Sequence, residues 1–255
     1  EENPQNQDDA LSPAIEPISK TDALVGVFTE PGKTFEAIGQ SKGNYWLMPI
    51  LICVVLGLLS SIIAQMDPQL LGAMMDKQKT KMREKLEQEV KEGKMTQEQA
   101  QQTMEQSTKF MDPNSGLFKL MAYAGSTFGI FIIFLLISLL YFVGLKIFKS
   151  QAGFIEAMNV VSLGMIISSI GGLIAIVLSV VMGHLVSVGA GLFLTEESGG
   201  EKAYKVATSL DVFAIWEHIV YAIGLSKVGR IPTGASYGLV FGLWIIWILV
   251  SAFVF

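Results

Sequence analysis

The sequence predicts an all-α integral membrane protein with five transmembrane helices and an extramembrane helical hairpin between the first and second spans. Hydrophobic residues make up 51% of the 255 residues and charged residues only 16%, whereas a typical soluble domain has about 25% charged residues. Mean hydropathy is +0.49. The charges are also unevenly distributed, leaving long apolar runs almost without them. A soluble fold cannot bury that much apolar chain, so we expect a lipid environment.

Five apolar runs are each about 20 residues or longer, which is enough for a helix to cross a hydrocarbon core of about 30 Å. They must be helices, because an open strand would leave backbone groups unpaired in lipid. They cover residues 45–64, 120–145, 157–182, 210–228 and 235–255. Residues 185–194 are also apolar but too few to cross alone. They either extend the third span or lie at the interface, and we expect an extension.

Lysine and arginine in the short loops predict the orientation, since positive loops stay cytoplasmic. Lys146 and Lys149 follow the second span, and Lys227 and Arg230 follow the fourth. These loops place the N-terminus in the cytoplasm and the C-terminus outside. We therefore expect a bacterial inner membrane protein with the long 66–118 connection in the periplasm.

The chain before the first span divides into two parts. Residues 1–22 are polar and proline-bearing with no apolar signal region, so we expect a disordered tail. Residues 23–44 form an amphipathic segment broken at Pro31-Gly32. This segment either lies at the membrane interface with its apolar side toward lipid or packs under the bundle.

The 66–118 connection contains eight basic and nine acidic residues. Its helix-favouring first half follows Asp67-Pro68 and breaks at Gly93, and Thr96 with Gln99 forms a capping box that starts a second helix. The pattern predicts a helical hairpin. It is either a solvated lid or a docking platform for a partner or a second copy.

Several classes of function are disfavoured by what the sequence lacks. A net charge of −5 offers no basic face for nucleic acid, and two histidines with one cysteine, Cys53, are too few for a typical metal site. The common phosphate-binding, dinucleotide, zinc-protease and serine-hydrolase motifs are absent. We expect no enzymatic activity, cofactor or bound metal, and Cys53 as a buried small hydrophobe.

The fourth span is the one with ionisable residues before its end. Asp211 and His218 share a helix face two turns apart, and Glu217 lies about 120° from Asp211 around the helix. These three residues form a polar seam for protons or a polar headgroup, or they are structural. In the structural alternative Asp211 caps the helix, and Glu217 and His218 make hydrogen bonds between helices.

Small residues at four-residue spacing allow helix backbones to approach closely. We expect these glycines to mark packing within the bundle, with a homodimer face as the alternative: Gly125, Gly129, Gly171, Gly172, Gly238 and Gly242.

Three segments resemble the Yip-domain family, relatives of Ypt/Rab-interacting membrane proteins. The first is the Pro-x-x-x-Phe opening at Pro31 and Phe35, and the second is residues 153–161. The third, the clearest, contains Asp211, Phe213, Trp216 and, further on, Gly224. The resemblance implies five spans and a cytoplasmic N-terminus, and eukaryotic members act in trafficking and bind Rab GTPases. The 66–118 insertion is similar to a prokaryotic variant, and Leu163-Gly164 departs from the aromatic-proline pattern of the family.

These observations predict a non-enzymatic protein of membrane organisation, or an interaction scaffold. Its expected partners are lipids, other membrane proteins or further copies of itself. The alternative is a small channel or transporter, for a lipid, an ion or a proton-linked solute, that uses Asp211, Glu217 and His218.

Overall fold

A computed structural model of the chain describes residues 18–41, 43–110, 112–194 and 196–253. Within these residues the fold is entirely helical apart from one isolated β-bridge. Its α-helices are α1 (Lys20–Thr29), α2 (Pro31–Ser41), α3 (Leu47–Met66), α4 (Pro68–Lys91), α5 (Gln97–Phe110), α6 (Gly116–Ile147), α7 (Phe154–Met182), α8 (Glu196–Ser209), α9 (Val212–Gly229) and α10 (Thr233–Phe253). Most of the predicted 1–22 tail lies outside the described residues, but α1 already begins at Lys20.

Five of these helices, α3, α6, α7, α9 and α10, are long and apolar enough to cross a membrane. The predicted all-α, five-span fold is confirmed. Large apolar side chains such as Phe128, Ile132 and Leu136 are exposed along α6, as expected for a surface in contact with lipid. The 32 residues of α6 span about 48 Å. This helix therefore extends beyond a hydrocarbon core of about 30 Å.

The expected extension of the third span through residues 185–194 is wrong. Helix α7 ends at Met182 because Gly183 adopts left-handed backbone geometry with φ 70°, the usual way for a helix to stop at glycine. The Ser179 hydroxyl accepts the Val186 N–H at 2.9 Å, which holds the chain as it turns back. The segment continues into a short 3₁₀ helix, Ala190–Leu192.

Helix α8 was not predicted from the sequence. Helix α8 lies between the third and fourth spans, is broken at Gly200 (φ 77°) and packs against α10. Lys205 Nζ lies 2.8 Å from a Glu201 carboxylate oxygen one turn away. This pairing, more than the nearby Lys81 and Lys77, lowers the pKa of Glu201.

The segment before the first span folds into the paired helices α1 and α2. They pack so closely that a Cβ on Gly26 would lie 2.3 Å from Thr34 Oγ1. The apolar residues Val27, Phe35 and Ile38 are fully buried, and α2 packs along α9. The Tyr45 hydroxyl donates to the Ile18 carbonyl at 2.8 Å, which joins the two ends of this helix pair. The apolar side of the segment therefore contacts the bundle.

In the 66–118 connection, α4 and α5 pack against each other. Asp67 caps α4 by accepting the Gln69 and Leu70 N–H groups at 2.9 and 3.0 Å. The reciprocal bonds of a capping box join Thr96 and Gln99 before α5, at 2.8 and 3.2 Å. Gly93, with φ 71°, follows the end of α4.

Helix α7 occupies the centre of the bundle and packs against α3, α6 and α9. All residues from Ala157 to Gly164 are buried, so neighbours surround this part of the helix on every side. Asn159 ties the first span to it: its Oδ1 accepts the Tyr45 N–H at 2.9 Å, and its Nδ2 donates to the Gly43 carbonyl at 2.8 Å. Cys53, predicted to be a buried hydrophobe, is fully buried.

Candidate functional site

The fourth span, α9, begins at a fixed N-cap. The Asp211 carboxylate accepts the N–H groups of Phe213 and Ala214 at 2.7 and 3.2 Å, which satisfies backbone donors that every helix start leaves free. The loop after α7 holds the backbone here, since Val212 N–H donates to the Val188 carbonyl at 3.2 Å. Asp211 therefore lies at the helix terminus.

Glu217 lies in the second turn of α9 and is only 8% exposed. Each of its carboxylate oxygens accepts one hydrogen bond: Ser168 of α7 donates to Oε2, and the Tyr221 hydroxyl donates to Oε1. Among the described residues, Glu217 makes no ion pair with a basic side chain. A buried carboxyl group is costly without partners, and here the chain itself supplies two donors.

Tyr221 connects this carboxyl group to two further helices. Its ring meets Tyr141 of α6 edge-on, with 5.5 Å between centroids. On the side of α7 the ring lies against Gly164, where an added Cβ would come within 2.4 Å of a ring carbon. Gly164 thus leaves the space that the Tyr221 ring occupies.

His218 makes its hydrogen bond to a different group from those that bind Glu217. Its Nδ1 lies 2.7 Å from the Ala214 carbonyl oxygen, and Nδ1 is the donor because a carbonyl can only accept. The imidazole stacks on Trp244 of α10, with 4.4 Å between centroids. Of the hydrogen bonds between helices expected for these residues, Glu217 makes one with Ser168, whereas His218 bonds to its own helix.

Asp211 thus caps a helix and Glu217 belongs to a carboxyl-hydroxyl cluster. His218 stacks on Trp244 and also meets the Tyr221 ring of that cluster edge-on, with 5.7 Å between centroids. The sequence alone did not connect Ser168 with Glu217, and it did not single out Tyr221. The i,i+4 spacing of Glu217 and Tyr221 is a signal that would have found the second residue. Within the described chain, no three His, Cys, Asp or Glu side chains are grouped closely enough to hold a metal ion.

The motif residues of the resemblance lie at contacts between helices. Pro31 begins α2, and Phe35 is buried where a Cβ on Gly224 would lie 3.0 Å from its ring. Phe213 fills the space beside Gly171, where an added Cβ would lie 2.5 Å away. Trp216 meets Phe28 of α1 edge-on at 5.7 Å.

The expectation that all six paired glycines pack within the bundle requires correction. Gly171 does so, but a Cβ added at any of the other five would meet nothing within 4 Å: Gly125, Gly129, Gly172, Gly238 and Gly242. Close approaches instead occur at isolated glycines such as Gly144, Gly164 and Gly224. Four-residue spacing alone does not say which helix faces meet, because that depends on how the helices are arranged around α7.

Residues 25–255 match the family model described as the Yip1 domain. This range begins within α1 and includes all five spans and the α4–α5 hairpin. Comparisons with curated proteins and with solved structures gave no match.

Proposed function

Because the chain belongs to the Yip1-domain family, we propose that it is a non-enzymatic protein that organises the membrane or holds lipids and other membrane proteins as a scaffold. The observation that carries this proposal is the closure of the Glu217 site. Both carboxylate oxygens are engaged by Ser168 and Tyr221 of the same chain. A transport site must exchange such partners for its solute, whereas a structural site keeps them.

The arrangement of the other polar groups supports the same function. Asp211 caps its own helix, and the His218 ring lies against Trp244. The Ser168 hydroxyl donates to the Glu217 carboxyl group, which also accepts from Tyr221 and is therefore engaged on both oxygens.

The surfaces available for partners lie at the two ends of the bundle. The end of α6 and the end of α9 meet around a cavity of about 300 Å³ whose lining includes Lys149 and Arg230. This clustering of basic loops supports a cytoplasmic location for that end, and with it a cytoplasmic N-terminus in a bacterial inner membrane. The α4–α5 hairpin would then be periplasmic.

A flux assay separates the scaffold from the alternative channel or transporter. The full chain in liposomes should move no ions, protons or labelled lipid above the rate of empty liposomes. Flux that disappears in Glu217→Gln and persists in the exposed-site control Glu201→Gln would establish transport and overturn the scaffold.

A pull-down tests the scaffold directly. Membrane-protein partners captured by the full chain should be lost when residues 70–111 are deleted and kept when Lys85 and Lys91 are both changed to Gln. Recovery of the same partners without the hairpin would remove the hairpin from the proposal.

A further inference from the structure

We propose that the cavity between the ends of α6 and α9 binds one phosphate diester through Lys149 and Arg230. The carrier of the phosphate is a phospholipid at the membrane surface or a small soluble molecule with the same group. The cavity has a volume of about 300 Å³, at the lower end of the range for sites that hold small molecules. The inference rests on the proposed function only in naming one ligand of the scaffold and the place where it binds.

Hydrogen bonds between the two helix ends fix the wall of the cavity. The buried Ser150 hydroxyl, in the loop after α6, donates to the Gly229 carbonyl of α9 at 2.7 Å and accepts the Ala152 N–H at 3.1 Å. The Lys146 ammonium group donates to the Ser150 and Ala152 carbonyls at 3.1 and 2.8 Å. The loop is therefore tied to both helices, and the backbone that carries the basic residues is in place before a ligand enters.

Lys149 and Arg230 share an unusual backbone conformation. Their φ angles are 57° and 51°, and within the described residues they are the only residues other than glycine with a positive φ. Lys149 follows the C-cap of α6, and Arg230 is the C-cap of α9. Glycine is the usual residue at such a turn because it adopts this conformation without strain. The chain thus keeps strain at two positions that line one cavity, as expected where both side chains have a role.

The charge of the cavity suits a phosphate diester. Both basic side chains are exposed, and in the described chain neither forms an ion pair with an acidic residue. Glu156 is the one acid of the described lining, and its Oε2 accepts the Gly153 N–H at 3.0 Å at the start of α7. An arginine binds two phosphate oxygens at once. Two positive charges against one negative charge leave a net charge of one, which a phosphate diester neutralises.

The alternative role of these two cations is structural. Positive charge near a helix C-terminus is favourable because the last carbonyl groups carry partial negative charge. The two roles differ in what happens when glycine replaces both residues. A structural role predicts a lower melting temperature, whereas a binding role predicts relief of strain and loss of the ligand.

Phosphate-dependent binding to the purified full chain in neutral detergent tests the inference. The probes are phosphatidylglycerol and diacylglycerol with the same fluorescent acyl chain, which differ in the phosphate diester and its glycerol. We expect tighter binding of phosphatidylglycerol. The double variant Lys149→Gly/Arg230→Gly should weaken it roughly hundredfold, about tenfold for each charged contact, and leave diacylglycerol unchanged. This variant should melt at or above the temperature of the parent, because glycine relieves the strain.

Two further double variants separate charge from backbone. Lys149→Gln/Arg230→Gln removes the charges but keeps the strain, so it should lose the phosphate without a gain in melting temperature. Lys20→Gln/Lys33→Gln removes the same charge at exposed positions of α1 and α2 that do not line the cavity, and it should keep the phosphate affinity of the parent.

Competition identifies the carrier of the phosphate. Soluble glycerophosphoglycerol has the same diester as phosphatidylglycerol but no acyl chains. Displacement of the labelled lipid by this molecule at a similar concentration would support the site with a soluble ligand. Binding of the lipid without such displacement would support the site with a phospholipid as its ligand.

Equal affinities for phosphatidylglycerol and diacylglycerol would overturn the inference. So would an unchanged phosphatidylglycerol affinity in Lys149→Gly/Arg230→Gly, and a lower melting temperature beside that unchanged affinity would assign both cations to the helix ends. Loss of phosphate binding with full partner recovery and no flux would support this site. Flux abolished by Glu217→Gln would overturn the scaffold and leave the phosphate site standing.

Discussion

Every residue of α7 from Ala157 to Gly164 is buried, whereas α5 buries none of its 14 residues and α4 only three of its 24. Contacts between spans hold the α7 region together. The α4–α5 hairpin is joined to the spans by the chain at its two ends and by a few apolar contacts. This difference separates two roles. The bundle around α7 and α9 supplies stability, and the exposed hairpin is the surface that we propose for partners.

The largest expected effect comes from removing the buried carboxyl group. Glu217→Ala leaves the Ser168 and Tyr221 hydroxyls without their acceptor, and each unsatisfied buried donor costs about 1–3 kcal/mol. We expect a loss of about 2–5 kcal/mol in the free energy of unfolding, measured by denaturant titration in mixed micelles. The control Glu201→Ala, at an exposed site of α8, should change it by less than about 0.5 kcal/mol. Equal losses of unfolding free energy in the two variants would contradict the proposed difference between the bundle and the surface.

The next effect comes from filling space beside Tyr221. A Cβ on Gly164 would lie 2.4 Å from a ring carbon, and the ring is held by its bond to Glu217 and by Tyr141. Gly164→Ala should cost about 1–3 kcal/mol in the same titration through overpacking. Gly172→Ala is the matched control on the same helix, because its Cβ would meet nothing within 4 Å. If Gly172→Ala lowered the free energy of unfolding and Gly164→Ala did not, α7 would meet α9 on a different face.

The two aspartate caps give a paired test of the comparison. Asp211 caps a helix of the bundle and Asp67 a helix of the hairpin. Loss of an N-cap typically costs about 1 kcal/mol. Asp211→Ala should lower the unfolding free energy of the bundle by about this amount. Asp67→Ala should speed amide exchange in α4 and leave the bundle transition in place. If Asp67→Ala lowers the bundle transition equally, the hairpin and the bundle unfold as one unit.

The smallest effect concerns the Glu201–Lys205 pair on α8. Because Lys205 lowers the pKa of Glu201, the pair contributes stability above the ordinary Glu range, and that contribution is lost as pH falls through the lowered pKa. Carboxyl NMR titration should place the Glu201 pKa below the ordinary Glu value and return it toward that value in Lys205→Gln. An unchanged titration in Lys205→Gln would show that this surface pair is not formed. Its effect on stability should be slight, since both side chains are partly exposed.

The sequence was informative where a single local rule decides the outcome. Apolar runs of about 20 residues predict spans regardless of how the helices pack, and all five are present. Thr96 and Gln99 follow a local capping rule, and their reciprocal bonds are present. Gly183 also ends α7 by a local rule, but the apolar character of residues 185–194 obscured it.

The remaining features depend on which helices are neighbours. Tyr221 reaches Glu217 on its own helix, but the role of Gly164 becomes visible only when α7 lies against α9. A groove of about 860 Å³ is lined by residues from α4, α5, α6 and the loop after α7, which are far apart in sequence. Helix α8 escaped prediction because Gly199 and Gly200 interrupt a short polar segment. Its Glu201 and Lys205, at i,i+4 spacing, were the available signal.

The central claim is that the bundle is closed around Glu217 and that partners bind at its surfaces. Thiol labelling tests it most directly: Ser168→Cys in a Cys53→Ser background, in liposomes, with a membrane-impermeant reagent applied from either side. We predict no labelling at position 168, while Thr108→Cys, at an exposed position of α5, reacts readily. Rapid labelling at position 168 would reveal a water-filled path to the carboxyl group and contradict the account.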